Sequence, residues 1–260
     1  MRLNINLSEM IRYFEGAFFR GLIGILPLVT LFYLIFWVLL KKRLSRRRIQ
    51  HRVRNYKKRI RYELVNTIIV ILMFSLADLI LYLFSQKGWI KAYLHFNERP
   101  FGYWLFSICF LFVFHDAWFY WTHRLLHNPF LFRRIHYIHH YSNDPNPFSS
   151  FSMHPAEAIV LNGWVFVTAL LIPIHFLTFA VFQVVSTILN IVGHLGYEVY
   201  PKGFLDSWFF WKTTSTHHNL HHSTSNSNYG LNFTWWDKWM RTEAKNYKDL
   251  FRKITEEATK

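Results

Sequence analysis

Residues 115–222 contain three short histidine clusters, which read His123-Arg-Leu-Leu-His127, His136-Tyr-Ile-His139-His140 and His217-His218-Asn-Leu-His221-His222. Single histidines at His154 and His194 lie between the clusters. This stretch holds 13 of the 15 histidines of the chain, so the remaining sequence is expected to serve as its scaffold. The isolated His51, His95 and His175 are interpreted as ordinary core or surface residues.

The spacing inside the clusters predicts metal binding. His123 and His127 are four residues apart, which places both imidazoles on one face of a helix. His136 and His139 share one side, whereas His140 points about 100° away and can reach a second ion. Because one zinc ion needs only three or four protein ligands, these histidines suffice for two ions. Imidazole suits iron, copper, zinc or nickel, whereas calcium and magnesium prefer oxygen ligands and are excluded.

Long apolar runs predict a membrane protein. Hydrophobic residues make up 52% of the 260 residues and aromatic residues 20%. Residues 18–40, 64–84 and 101–121 form three runs that can each cross about 30 Å of hydrocarbon. A fourth apolar region, 156–193, is divided by Pro173 and is expected to form a short hairpin that just spans or dips into the bilayer. Cys109 is the only cysteine, which excludes an intramolecular disulfide and a thiolate metal site.

A basic segment separates the first two apolar runs. Residues 41–61 carry twelve Lys or Arg and no Asp or Glu, as is typical of the cytoplasmic flank of membrane helices and of segments on lipid headgroups. A nucleic-acid partner is disfavoured because no reading module accompanies the charge. The segment is either a topology signal alone or also a docking site for an acidic electron carrier. No cleavable signal peptide is recognised, so the first run is expected to remain as an anchor.

These features predict an all-α, multi-pass membrane helical bundle of about four spans. If the basic segment is cytoplasmic, every histidine cluster lies on a helical cap at the cytosolic face of a bacterial inner membrane or an endoplasmic reticulum. We divide the chain into an N-terminal membrane anchor (1–100), a histidine-rich catalytic domain (101–242) and a charged C-terminal tail (243–260).

Further motifs accompany the clusters. They read Asp116-x3-Tyr120-Trp121-x-His123-Arg124, Phe151-x2-His154-Pro155-x-Glu157, Gly193-His194-x-Gly196-Tyr197 and Asn228-Tyr229-Gly230-x2-Phe233-Thr234-x-Trp236-Asp237. In order and spacing they resemble the fatty acid hydroxylase and sterol desaturase superfamily, membrane oxygenases with a histidine-held di-iron centre. The last motif is most similar to the sterol C-5 desaturase-like branch. Arg133 and Arg134 depart from the pattern, since many relatives place an aromatic or a single basic residue there.

The resemblance implies a set of site residues. The metal ligands would be His123, His127, His136, His139, His140, His194, His218, His221 and His222, with His154 and His217 as additions. Asp116, Tyr120 and Glu157 would support the catalytic site. Because metal-bound histidines usually donate their second ring nitrogen to a partner, Asp116 or Tyr120 is expected to orient a ligand, and Glu157 to orient His154.

The resemblance also implies a reaction. Two iron ions would use dioxygen to hydroxylate or desaturate a C–H bond of a sterol, a fatty acyl chain or a related lipid that arrives from the bilayer. Electrons would come from a separate electron-transfer protein, because the chain has no spare soluble segment the size of a fused haem domain.

Two other functions compete with this interpretation. A zinc-dependent membrane hydrolase would need a general base, and neither a His-Glu-x-x-His motif nor a carboxylate within a cluster is present. A histidine-rich membrane metal transporter would place its polar ligands near the bilayer midplane, whereas these clusters lie just outside the apolar runs. Both are therefore less favoured than an oxygenase.

Overall fold

The computed structural model describes residues 6–51 and 56–258. Within these residues the chain forms helices and turns and no strand, which confirms the all-α prediction. The helices are α1 (Leu7–Tyr33), α2 (Tyr56–Gln86), α3 (Phe101–Leu126), α4 (Pro129–Leu131), α5 (Tyr137–His140), α6 (Pro155–Asn162), α7 (Trp164–Leu171), α8 (Phe176–Gly193), α9 (Ser215–Thr224), α10 (Trp235–Trp239) and α11 (Tyr247–Glu257). Parts of the predicted anchor, basic segment and tail, at 1–5, 52–55 and 259–260, lie outside the described residues.

Four of these helices are long and apolar enough to cross a membrane, as the sequence predicted. They are α1 with its π-helical extension to Leu39, α2, α3 and α8. The first helix starts at Leu7, well before the predicted start, because Asn6 and Glu9 form a capping box that satisfies backbone N–H groups at its N-terminus. The third continues past the predicted end to Leu126, so His123 lies within the helix.

The region predicted as a hairpin contains two short helices and one long helix. Pro173 lies in the turn between α7 and α8. The side chain of His175 accepts a hydrogen bond from the Leu177 N–H and caps α8. Trp164 of α7 and Phe182 of α8 pack with Leu111 of α3 in a buried cluster. The short helix α7 therefore lies beside α3 and α8, and α6 contacts α3 through a hydrogen bond from Trp118 to the Val160 carbonyl.

A helical cap lies at the end of the bundle where α3 and α8 end. It contains the turns and short helices of residues 127–151 and the helices α9, α10 and α11. Tyr247 and Phe251 of α11 pack against Leu205 and Leu220 in a separate buried cluster. Residues predicted to form a charged tail thus contribute a helix to the cap, because one face of that helix is apolar.

The basic segment does not lie entirely on lipid headgroups, in contrast to the expectation for residues 41–61. Arg48 is buried and donates two hydrogen bonds, of 2.7 and 2.8 Å, to the carboxylate of Asp144 in the cap. Its guanidinium also lies 4.4 Å from the ring centroid of Trp37. The neighbouring Arg47 donates to the carbonyl oxygens of Glu198 and Tyr200. These contacts place the start of the basic segment at the same end of the bundle as the histidine clusters.

We expect the Arg48–Asp144 pair to be a main determinant of cap stability. Replacing Arg48 with Met leaves the buried Asp144 carboxylate without its guanidinium, so the free energy of unfolding should fall by about 3–5 kcal/mol. Arg46 is exposed, and Arg46→Met should change it by less than about 0.5 kcal/mol. Unfolding of the detergent-solubilised protein measures both changes, and equal stability of the two variants would contradict the prediction.

Candidate metal centre

Nine histidines form two compact groups in the cap. The first group contains His123, His127, His136, His140 and His221, and the second contains His139, His194, His218 and His222. In each group the candidate ligand atoms all lie within 4.8 Å of one another. The rings come from the ends of α3 and α8, from the turn and helix around residues 136–140, and from α9. The three sequence clusters therefore meet in space. The first cluster contributes only to the first group, whereas the second and third clusters each contribute to both groups.

Hydrogen bonds fix the tautomers of several rings. The Nδ1 atoms of His123, His139, His194 and His221 lie 2.6–3.1 Å from the backbone carbonyls of Tyr229, Ser152, Asn190 and Ser227, respectively. A carbonyl can only accept a hydrogen bond, so each Nδ1 carries the proton. In a neutral imidazole the Nε2 atom then has a free lone pair, which is the form that binds a metal ion.

Glu157 holds His136 in the same way. Its Oε1 lies 2.8 Å from Nδ1 of His136, and both side chains are buried. The sequence predicted that Glu157 orients His154, but the partner in the structure is His136. The ring of His154 is engaged elsewhere, because His154 precedes α6 and its Nδ1 accepts a hydrogen bond from the Ala156 N–H.

The lone pairs of these rings face one another at short distances. Nε2 of His123 lies 3.1 Å from Nε2 of His136, and Nε2 of His194 lies 3.4 Å from Nε2 of His139. Since neither atom of either pair carries a proton, no hydrogen bond joins them, and two facing lone pairs repel unless a cation lies between them. The Nε2 atoms of His127, His140 and His221 are likewise buried without a hydrogen-bond partner. The donor set therefore fits metal ions at both groups.

Burial keeps the rings neutral. Removal from water lowers the pKa of every histidine of the two groups outside the spanning helices, and it is the largest cause in each case; His194 falls to about 4. Metal ions bind imidazole only in its neutral form. The site can therefore accept a cation without first losing protons at neutral pH.

Asp116 and Tyr120 do not touch a histidine ring, in contrast to the prediction that one of them orients a ligand. The Oδ1 atom of Asp116 accepts hydrogen bonds from the backbone N–H groups of Asn232 and Phe233. The hydroxyl of Tyr120 pairs with Thr242 at 2.9 Å. Asp116 therefore holds the loop after α9, which presents the Tyr229 carbonyl to His123, whereas Tyr120 contacts the chain after α10.

Asp237 holds the same loop from the opposite side and was not singled out by the sequence as a site residue. Its carboxylate accepts from the N–H groups of Tyr229 and Gly230, at 2.8 Å each. A side chain at Gly230 would lie 2.5 Å from the Phe233 carbonyl oxygen, so the loop requires glycine there. His217 lies beside Asp237, with 3.4 Å between Nε2 and Oδ2. His217 and His154, which the sequence proposed as additional ligands, both lie outside the two groups.

A cavity of about 750 Å³ reaches the centre from the bundle. At one end it is lined by histidines of both groups, namely His123, His136, His139, His194 and His218. The remaining wall is mostly apolar and comes from α1, α2, α3, α6, α7 and α8. His115 lies in this wall, packed against Trp164 and Phe182. The site thus combines a histidine-lined end with a long apolar approach.

Comparison with known proteins agrees with this site. The profile of the fatty acid hydroxylase family matches residues 108–242, more than half of the chain, and the chain belongs to this family. It is 28% identical over 193 residues to a Delta(7)-sterol 5(6)-desaturase of Gibberella zeae, covering 74% of this chain and 58% of that protein. These findings confirm the superfamily and the sterol desaturase-like branch that the motifs indicated.

Two further relatives are also named as sterol-oxidising proteins. Human lathosterol oxidase is 28% identical over 184 residues, which cover 70% of this chain and 60% of that protein. Methylsterol monooxygenase 1 of Rattus norvegicus is 30% identical over 144 residues, which cover 55% of this chain and 48% of that protein. The chain spans about half to three fifths of the length of these curated relatives. No solved structure matches the chain.

The two histidine groups predict two metal ions per chain. Replacement of one ligand in each group, His221→Ala or His218→Ala, should remove about one ion, because the remaining rings of that group leave its ion incompletely coordinated. Metal content of the purified protein measures this.

His154→Ala provides the matched control, since His154 lies outside both groups and its ring caps α6. We expect this variant to retain both ions. Loss of an ion from His154→Ala, or full occupancy in the two ligand variants, would contradict the assignment.

Proposed function

We propose that this chain is an iron-dependent hydroxylase or desaturase that acts with dioxygen on a C–H bond of a sterol, a fatty acyl chain or a related membrane lipid. The observation that carries the proposal is the apolar cavity that ends at histidines of both groups. Its volume suits a lipid-sized ligand, since ligand cavities range from about 300 to 1,000 Å³. Family membership and relatives named as sterol desaturases and oxidases support the same class of reaction.

The cavity opens sideways between α1 and α8. Lining residues at this opening are strongly exposed: Ile23 is 72% and Leu31 50% exposed on α1, and Val184 is 59% exposed on α8. Both helices are candidate membrane spans, so these apolar side chains would face lipid tails. A lipid can pass through such an opening without crossing water, and the apolar wall excludes water from the reacting carbon.

The nine histidines of the two groups would hold two iron ions, which supply redox chemistry that activates dioxygen when bound. The chain's own residues provide the geometry. Backbone carbonyls and Glu157 fix the ring orientations, and such partners typically change metal affinity by about 10- to 100-fold. His154 and His217 act in support of this set, His154 as the cap of α6 and His217 through Asp237. Asp116 would act on the site through the loop at residues 229–233, and Tyr120 through Thr242, which donates to Asp237.

The proposal also covers the membrane side of the histidines, the source of electrons and the role of each part of the chain. We infer that the histidine end of the bundle faces the cytoplasm, because the basic residues 41–48 lie at that end and positive charge favours the cytoplasmic side. Electrons would arrive from a separate electron-transfer protein. Residues 101–242 would form the catalytic domain, residues 1–100 its membrane anchor, and residues 243–260 a peripheral addition.

The competing functions have less support. Both candidate metal groups among the described residues consist of histidines alone, so they offer no carboxylate as the general base of a zinc hydrolase. The groups also lie at the ends of the spanning helices, whereas transporters bind their ions near the midplane.

A lipid analysis tests the proposed reaction. Cells that express the chain should contain a lipid with one added oxygen atom or two fewer hydrogen atoms, measured by mass spectrometry against cells that express His139→Ala. His95→Ala, on a turn far from the two groups in sequence and outside both of them, should behave like the wild type. An unchanged lipid profile with an iron-loaded protein would overturn the proposal.

Blocking the lateral opening should inhibit the reaction without removing metal. Gly24 lines the cavity, and a side chain there would meet nothing within 4 Å. Gly24→Trp therefore fills space that the lipid needs, and we expect kcat/KM to fall by about tenfold or more, since overpacking by a bulky group costs about 1–3 kcal/mol.

Gly102→Trp is the matched control for this change, because Gly102 is also a helical glycine with open space around it and lies outside the cavity lining. We expect it to keep wild-type kcat/KM. Equal activity of the two tryptophan variants would show that the lipid does not pass between α1 and α8.

A further inference from the structure

A second pocket borders the histidine groups and shares no lining residue with the larger cavity. A pocket of about 240 Å³ is lined by His127, Pro129, Phe132, Arg133 and Ser225. His127 is the only histidine of the nine that is not fully buried, and it does not line the larger cavity. Of the nine histidines, this pocket therefore reaches only His127, which belongs to the first group.

His127 is also central to its group. Its ring centroid lies 5.0 Å from that of His123, 4.6 Å from His136, 4.9 Å from His140 and 4.8 Å from His221. Because electron transfer slows steeply with distance, an electron that arrives at the exposed edge of His127 is one ring away from every other ligand of the group.

The surface around this pocket is positively charged. Arg124, Arg133 and Arg134 are exposed, and the chain contains no Asp or Glu from Ala117 to Asn143. Arg134 lies over the ring of Phe130 at 3.9 Å, and Phe130 is 61% exposed. A small patch of arginines with an exposed aromatic ring suits a transient complex with an acidic protein, in which charge attraction accelerates encounter.

The rim of the pocket around Ser225 indicates whether this surface faces water or lipid headgroups. Ser225 lines the pocket, and its neighbours Ser223, Thr224 and Asn226 are exposed, polar and uncharged. Headgroup-binding segments instead combine basic residues with apolar side chains that enter the bilayer, and residues 223–226 contain neither kind of side chain. The rim therefore favours water, where a soluble protein can approach.

We propose that Arg124, Arg133 and Arg134, together with the pocket beside His127, form the docking surface for an acidic one-electron carrier protein. This inference rests on the proposed function, which requires an external reductant. Each docked carrier would be oxidised by one electron. Two encounters supply two electrons. With two protons and one C–H bond of the lipid, these electrons reduce dioxygen to one water and the oxygen of an alcohol; with two protons and two adjacent C–H bonds, they reduce it to two waters as an alkene forms.

Two measurements on the full, detergent-solubilised chain test the surface, with a reduced acidic [2Fe–2S] ferredoxin as the probe. The first is ferredoxin binding to the chain with and without metal, as a function of salt. The second is anaerobic stopped-flow reduction of the iron-loaded chain by ferredoxin, compared with reduction by dithionite, which needs no protein surface.

Arg133→Glu/Arg134→Glu should weaken ferredoxin binding at low salt and slow reduction by ferredoxin, each by about tenfold or more, as expected when steering charges are reversed. Reduction by dithionite should stay at the wild-type rate, which also shows that the variant is folded. Arg133→Lys/Arg134→Lys, which keeps the charge, should restore most of both signals.

Lys248→Glu/Lys253→Glu makes the same change in net charge on exposed positions of α11 and should leave both ferredoxin measurements unchanged. Wild-type ferredoxin binding and reduction in the Arg133/Arg134 variant would overturn the proposal. So would a loss confined to binding of vesicles with anionic lipid, because that result assigns the arginines to headgroups. If dithionite fails to reduce the wild-type chain, the proposed function is wrong, while binding to the metal-free chain still decides the docking surface.

Discussion

The repulsion between buried imidazole lone pairs is the constraint on which the rest of this structure depends. Four rings donate Nδ1–H to backbone carbonyls and a fifth donates to Glu157, which leaves their Nε2 lone pairs pointing inward. Burial then prevents protonation from relieving the repulsion, since a charged imidazole away from water is unfavourable. Such a set of side chains is stable when cations occupy the space between the rings. The arrangement of rings in the cap therefore fits positive charge that comes from bound cations.

Holding these rings requires many fixed backbone positions, and the cap supplies them. The loop that presents the Tyr229 carbonyl is held by Asp116 on one side and Asp237 on the other. The carbonyl of Asn190 serves His194 from the preceding turn of α8. Arg48 connects the first spanning helix to the loop before Pro145 through Asp144. Since each ring depends on a different element, the metal centre and the folded cap stabilise one another.

Much of this arrangement was predictable from the sequence. The features that were not predictable have identifiable physical causes. Long apolar runs predicted about four spans, and the resemblance of the motifs implied nine ligand histidines, which the structure brings together in two groups. The carbonyl partners were not predictable, because every residue has a carbonyl and only the fold decides which one faces a ring. Glu157 was recognised as a supporting residue with the wrong partner, since His154 is near it in sequence while His136 is near it in space. Arg48 could not be told apart by sequence from neighbours in the same basic run, such as the exposed Arg46.

Under the proposed function, the two pockets would provide separate routes for the lipid and for the electron carrier. A lipid C–H bond must approach through an apolar space, because water near the reacting carbon would divert the chemistry. A charged protein partner must approach through water, because its surface cannot be desolvated without cost. The cavity is lined by His123 and His136, whereas the small pocket is lined by His127 and shares no lining residue with the cavity. His123 and His127 are one helical turn apart at the end of α3, so the end of a single spanning helix separates the two routes.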